Sequence, residues 1–218
     1  MLMINEIYAA ICGESRFSGF PCTLVRLSGC HLRCAWCDSP HSFNGGEPMS
    51  AEAILDRVRA NGFRTVLVTG GEPLLQKNVV EFLRLLVEDG RTVVLETSGA
   101  DPSKLVPLAE VPQGVHRIVD VKAPGSGIDP DLIDWEGIAL LGAGDEVKIV
   151  VAGREDFAWV KQLLQSGRLP ATVRVSLSPA AALVDPARLA EWILADGLDV
   201  ALQIQLHKAL WPDRERGV

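Results

Sequence analysis

No stretch of this chain is apolar for anything near the ~20 residues that a membrane-spanning helix needs, so an integral helical membrane protein is not expected. An excess of basic residues is missing too: 21 Lys and Arg stand against 28 Asp and Glu, a net charge of −7. Neutralising a phosphate backbone usually requires the opposite balance, so nucleic acid is not an expected partner. The first ten residues, Met1 to Ala10, carry Asn5 and Glu6 where a signal peptide needs a basic start and an apolar stretch. A cytoplasmic location is therefore expected. Cysteine is absent after Cys37; the five thiols, Cys12, Cys22, Cys30, Cys34 and Cys37, are odd in number and crowd the first forty residues. That excludes a disulfide framework for the rest of the chain and points to metal or redox chemistry.

What the chain does have is enough apolar residue, 48% of 218, to bury a core, with 22% charged. Near-continuous apolar, β-branched runs recur at 23–27, 65–68, 92–95, 117–121, 147–151, 172–177 and 200–205, as strands covered on both faces do. Helical patterns fall between several of them. Ser50 caps 51–60 ahead of Gly62, 73–88 has one apolar stripe, and 155–165 reads as a crossover helix. Asp185-Pro186 opens 187–195, and 129–141 is assigned one short helix. The order predicts an α/β fold, a partial (β/α)6-type parallel barrel, spanning residues 1–218 as a single domain. Ligands of such folds gather at the carboxyl ends of the strands.

The loop after the first of these runs reads Ser28-Gly29-Cys30-His31-Leu32-Arg33-Cys34-Ala35-Trp36-Cys37-Asp38. Three thiols this close can converge on one soft centre. Three readings are open on spacing alone. Structural zinc would need a fourth ligand from His31, His41, Cys12 or Cys22. A four-iron cluster held by three thiolates would leave one iron open, and packed thiols without metal are the plainest option.

The C-x-x-x-C-x-x-C spacing, with Trp36 before Cys37, resembles the radical S-adenosylmethionine (SAM) superfamily, and Thr69-Gly70-Gly71-Glu72-Pro73 resembles its glycine-rich segment. Along nearly its whole length the chain is similar to 7-carboxy-7-deazaguanine synthases of queuosine biosynthesis. The likeness runs through Asn5-Glu6-Ile7, Gly13-Glu14, Val25-Arg26-Leu27, Cys34 to Asp38, Leu95 to Gly99 and Gln205 to Lys208. The resemblance implies a lyase that converts 6-carboxy-5,6,7,8-tetrahydropterin by hydrogen abstraction at C6, ring contraction and ammonia loss. It implies a [4Fe-4S] cluster on Cys30, Cys34 and Cys37, SAM, and Mg2+ on the Ser39 hydroxyl. SAM contacts are expected at Trp36, Cys37, Asp38, Gly71, Ser98, Asp120, Val121, Lys122, Leu177, Ser178, Pro179 and Ala180. Substrate contacts are expected at Ile11, Cys12, Gly13, Glu14, Arg26, Thr69, His207 and Val218. A cluster loop at 28–44, a tail at 207–218 closing the site, a homodimer and an external, flavodoxin-like electron donor complete the expectation.

Two departures from the family pattern stand out. Cys12-Gly13-Glu14-Ser15 replaces a glutamine-led segment, and Asp120-Val121-Lys122 stands where Ser-Pro-Lys is commoner. The alternatives carried alongside are a glycyl-radical-enzyme activase, a zinc-binding interaction module and a simple electron carrier.

Overall fold

A computed structural model describes residues 1–214, 216 and 217. Its strands are β1 (Leu2–Ile11), β2 (Pro21–Leu27), β3 (Glu47–Met49), β4 (Thr65–Gly70), β5 (Thr92–Thr97), β6 (Val115–Val121), β7 (Glu146–Val151), β8 (Arg174–Pro179) and β9 (Ala201–Leu202). Helices are α1 (Ala51–Asn61), α2 (Val79–Glu88), α3 (Trp135–Ile138), α4 (Arg154–Gln165), α5 (Pro186–Ala195) and α6 (Leu206–Leu210). Among the described residues the strands form one sheet in the order β3-β1-β2-β4-β5-β6-β7-β8-β9. From β2 to β9 every pairing is parallel, whereas β1 runs antiparallel to both β2 and β3.

The helix boundaries follow their capping chemistry. Ser50 accepts from Ala53 N at 3.2 Å to start α1, and Gly62 takes the left-handed conformation (φ 77°) that ends it. Asp185 accepts from Ala187 N at 2.8 Å, with Pro186 in the first turn of α5. The expected helix at 73–88 is instead a 3-10 turn, Pro73–Leu75, followed by α2, and the region 129–141 divides into a 3-10 turn and the single turn of α3.

Alternation along the strands makes the site. Val25, Leu27, Val66, Val68, Val93, Leu95, Val119, Val121, Val147, Ile149 and Leu177 face outward into the large core under the helices. The opposite face is layered. Cys22, Leu24, Leu67, Val94 and Ile118 form a small inner core with Cys12, packed by Tyr8, Ala10 and Phe17. Two residues further along the strands the same face turns polar: Arg26, Thr69, Glu96 and Asp120, with Lys148 on β7. Residues of β1, β2 and β4 to β8 line one cavity of about 840 Å³, which a flat sheet could not arrange, so the sheet is curled around it.

The segment between β1 and β2 runs inside the curl. Arg16 donates from its backbone N (2.7 Å) and from Nε (3.3 Å) to Glu146 Oε1, and Phe17 meets the His116 ring edge-on at 4.9 Å. These contacts fill the end of the sheet where the parallel strands begin. Leu206 N donates to Gly13 O at 2.9 Å, so α6, following the last strand, meets the segment that follows the first.

Candidate active site

Cys30, Cys34 and Cys37 sit half-buried on the loop after β2, and all three line the cavity. The loop is stitched to the end of β4: Gly71 N donates to Leu27 O at 3.1 Å and Glu72 N to Gly29 O at 2.8 Å. A Cβ on Gly71 would lie 2.3 Å from Gly29 O, so only glycine allows this approach. Glu72, fully buried, accepts from Leu74 N (3.0 Å), Thr97 Oγ1 (2.7 Å), Ser98 N (2.8 Å) and Ser98 Oγ (2.7 Å). It fastens the ends of β4 and β5 and is a structural carboxylate.

Among the described residues none of the four candidate fourth ligands is grouped with the three thiols. His31 Nε2 is 2.8 Å from Ala100 O, His41 Nε2 lies 3.5 Å from Glu6 Oε2, and Cys12 and Cys22 are buried in the inner core. Among the described residues no three His, Cys, Asp or Glu side chains are grouped to hold a single metal ion. Burial raises the pKa of Cys30 and Cys34, and the neighbouring thiols add to it. A cationic centre that favours thiolates would relieve both effects. This donor set, three thiols open to a cavity, fits a cluster with one unprotected corner.

The cofactor expectations divide by face. Trp36, Cys37, Asp38, Gly71, Ser98, Asp120, Lys122, Ser178, Pro179 and Ala180 line the cavity. Val121 and Leu177 are buried in the outer core, so any contact from them is through backbone. Asp120 Oδ2 is paired with Lys122 Nζ at 3.0 Å, while Asp120 Oδ1 is buried without a hydrogen-bond partner, an acceptor left for a ligand. With the Gly71 cradle, this donor and acceptor set fits SAM.

Of the substrate expectations, Ile11, Gly13, Glu14, Arg26, Thr69 and His207 line the cavity. Cys12 does not; its thiol packs in the inner core. Val218 lies outside the described residues. A Cβ on Gly13 would come within 2.4 Å of His207 Nδ1, which explains the glycine there. Burial holds His207 below the ordinary imidazole pKa, so the ring is neutral near pH 7. Arg26 Nε donates to Glu6 Oε2 at 3.0 Å, so the strand's charge is both paired and turned to the cavity. Ser39 also lines the cavity.

Four residues were missing from the expected set of contacts. Lys148 bonds Glu14 Oε2 and lies 3.9 Å from Asp120 Oδ2; these acids raise its pKa although burial opposes it. A cation inside the apolar run 147–151 was the available signal, the same one that singled out Arg26. Glu96 accepts from Thr69 Oγ1 at 2.9 Å, and burial followed by the charge of Glu14 raises its pKa. Glu14 Oε1, like Asp120 Oδ1, is buried without a partner. Gln205 Nε2 donates to Asp38 Oδ2 at 2.8 Å and Lys208 Nζ lies 3.3 Å from it, tying α6 to the cysteine loop. Asp38 is 45% exposed, and although burial opposes ionisation, Lys208 and Gln205 hold it below the usual carboxylate range.

Comparison with known proteins agrees with this geometry. Residues 24–124 match the Radical SAM superfamily. A 7-carboxy-7-deazaguanine synthase of Koribacter versatilis (strain Ellin345) is 42% identical, covering all of both chains. The synthase of Chlorobaculum tepidum is 38% identical over 100% of this chain and 97% of its own. The crystal structure of QueE from Escherichia coli superposes with a TM-score of 0.72 over 94% of each chain at 24% identity, a likeness of fold.

Proposed function

Since the chain belongs to the 7-carboxy-7-deazaguanine synthase family of radical SAM enzymes, we propose that it converts 6-carboxy-5,6,7,8-tetrahydropterin to 7-carboxy-7-deazaguanine. The observation that carries this reading is one cavity joining the three-thiol loop to a largely half-buried ring of Arg26, Thr69, Glu96, Lys148 and Glu14. When bound, the cluster and SAM supply a hydrogen-abstracting radical, the chemistry that ring contraction requires.

The chain's own residues bind, orient and shield. Cys30, Cys34 and Cys37 hold the cluster, and backbone at Gly71 and 177–180, with Asp120 Oδ1 and the Ser98 oxygen, receives SAM. Arg26 grips the pterin carboxylate, a charge-assisted contact suited to a guanidinium. The unpartnered Glu14 Oε1 accepts from the pterin's N–H edge, with neutral His207 and the Thr69 hydroxyl beside it. Lys148 engages the other oxygen, Oε2, and so fixes the direction in which Oε1 points. The ring stands on the inner apolar core, which keeps water from beneath the reacting atoms.

Further assignments belong to the same reading. The Ser39 hydroxyl contributes to a Mg2+ site completed by substrate oxygens. The chain works in the cytoplasm as a single-domain homodimer, reduced by a flavodoxin-like donor, and the described residues of the expected tail, 207–214, 216 and 217, cover the cavity.

The test is an anaerobic assay with reconstituted cluster, dithionite, SAM and the carboxylated pterin, read by deazapurine absorbance. Cys30→Ala, Cys34→Ala and Cys37→Ala each abolish product, whereas Cys22→Ala, altered only in the inner core, retains it. Full activity after loss of any of the first three overturns the assignment.

A further inference from the structure

One acid on β1 is shared by two arginines that are 190 positions apart in the sequence. Glu6 Oε2 accepts from Arg26 Nε at 3.0 Å, and Glu6 Oε1 accepts from Arg216 Nε at 3.2 Å. Arg216 also donates from Nη2 to Asn5 Oδ1 at 3.3 Å. His41 Nε2 approaches the same Glu6 oxygen to 3.5 Å, is buried, and makes no hydrogen bond. Arg26, His41, Arg214 and Arg216 all line the cavity.

Among the described residues the charge count at this wall is unbalanced. Arginine does not deprotonate in proteins, so two fixed positive charges face one carboxylate. Each guanidinium has five N–H donors, and Glu6 and Asn5, with the Tyr8 hydroxyl beside Arg26, use only part of the combined set of Arg216 and Arg26. A second carboxylate arriving here would complete a two-by-two arrangement of charges.

We propose that Arg216 is the second arm of a carboxylate clamp, holding the ligand's carboxylate opposite Arg26 while Glu6 spaces the two arms. The clamp rests on the reading that the ligand is a carboxylated pterin, and it makes Arg216 a specificity residue. Arg216 is 56% exposed in its side chain and outside the packed core, so its replacement leaves the fold intact.

Equilibrium dialysis of the cluster-reconstituted full chain, anaerobic and without reductant, tests this with two probes. One is 6-carboxytetrahydropterin; the other is tetrahydropterin lacking the carboxylate. Arg216→Gln is expected to weaken the carboxylated probe roughly three- to tenfold and leave the other unchanged, with Arg216→Lys in between. Equal weakening of both probes, or of neither, overturns the clamp. A wild-type chain that does not prefer the carboxylated probe would instead defeat the substrate reading. A second readout is trypsin cleavage after Arg214. The carboxylated probe slows it in the wild type and not in Arg216→Gln, and an unslowed wild type also overturns the clamp.

Discussion

Ionising Glu96 is opposed first by burial and then by the charge of Glu14, which together outweigh Lys148, Thr69 and Arg26. A carboxyl group whose folded-state pKa lies above its unfolded value binds its proton more tightly when folded. The stability it contributes is fully present below the unfolded value, about 4.3, and is lost as pH rises through the folded one. Gln at this position mimics the protonated form at every pH. Glu96→Gln is therefore expected to match the wild type near pH 4 and to exceed it in stability at pH 8. Urea unfolding at both pH values checks this; a gap that shrinks as pH rises would contradict it. The residues that carry local patterns were readable: the cysteine spacing, the glycine-rich turn and Arg26 as a charge in an apolar strand. Glu6 and Asp38 were legible as motif members but not as partners. Their roles depend on Arg216 and Gln205, and spacing along the chain says nothing of such distant pairings.

Capping explains why some elements were legible and others were not. Helices α1, α4 and α5 lie within a residue or two of the expected ranges, because Ser50, Gly62 and the Asp185-Pro186 pair act locally. Asp185→Ala is expected to cost about 1 kcal/mol, since Ala187 N loses its acceptor while Pro186 still favours the first turn. Thermal unfolding measures it, and Asp185→Asn should recover most of the loss. Strands β1 and β3 were not anticipated. β1 interrupts its apolar residues with Asn5 and Glu6, and only one of its faces meets the outer core, so neither an unbroken run nor clean alternation appears. β3 is three residues long with Pro48 at its centre, tolerable because it lies on the edge of the sheet. Strands β4 to β8, covered on both faces, announced themselves by composition.

At the scale of the whole molecule, closure depends on charges drawn from opposite ends of the sheet. Arg16 binds Glu146, 130 positions away, and also donates to Ala143 O at 3.0 Å and Asp145 O at 3.3 Å. Glu146 is 1% exposed in its side chain. Removing Arg16 leaves that carboxylate with a backbone donor and the more distant Arg174, 3.7 Å away. Arg16→Ala is expected to lower stability by about 2–3 kcal/mol in chemical denaturation, and Arg16→Lys by less. A loss under 0.5 kcal/mol would mean that the segment is held by Phe17 alone.

That plugged end has a kinetic meaning. With Arg16, Phe17 and the inner core filling the side where the strands begin, cofactor, pterin and product must share the doorway that α6 and the Asp38 tie overhang. Traffic through a shared doorway is sequential: whatever seats deepest enters first and departs last. Breaking the tie between Asp38 and α6 then belongs to the cycle alongside bond making.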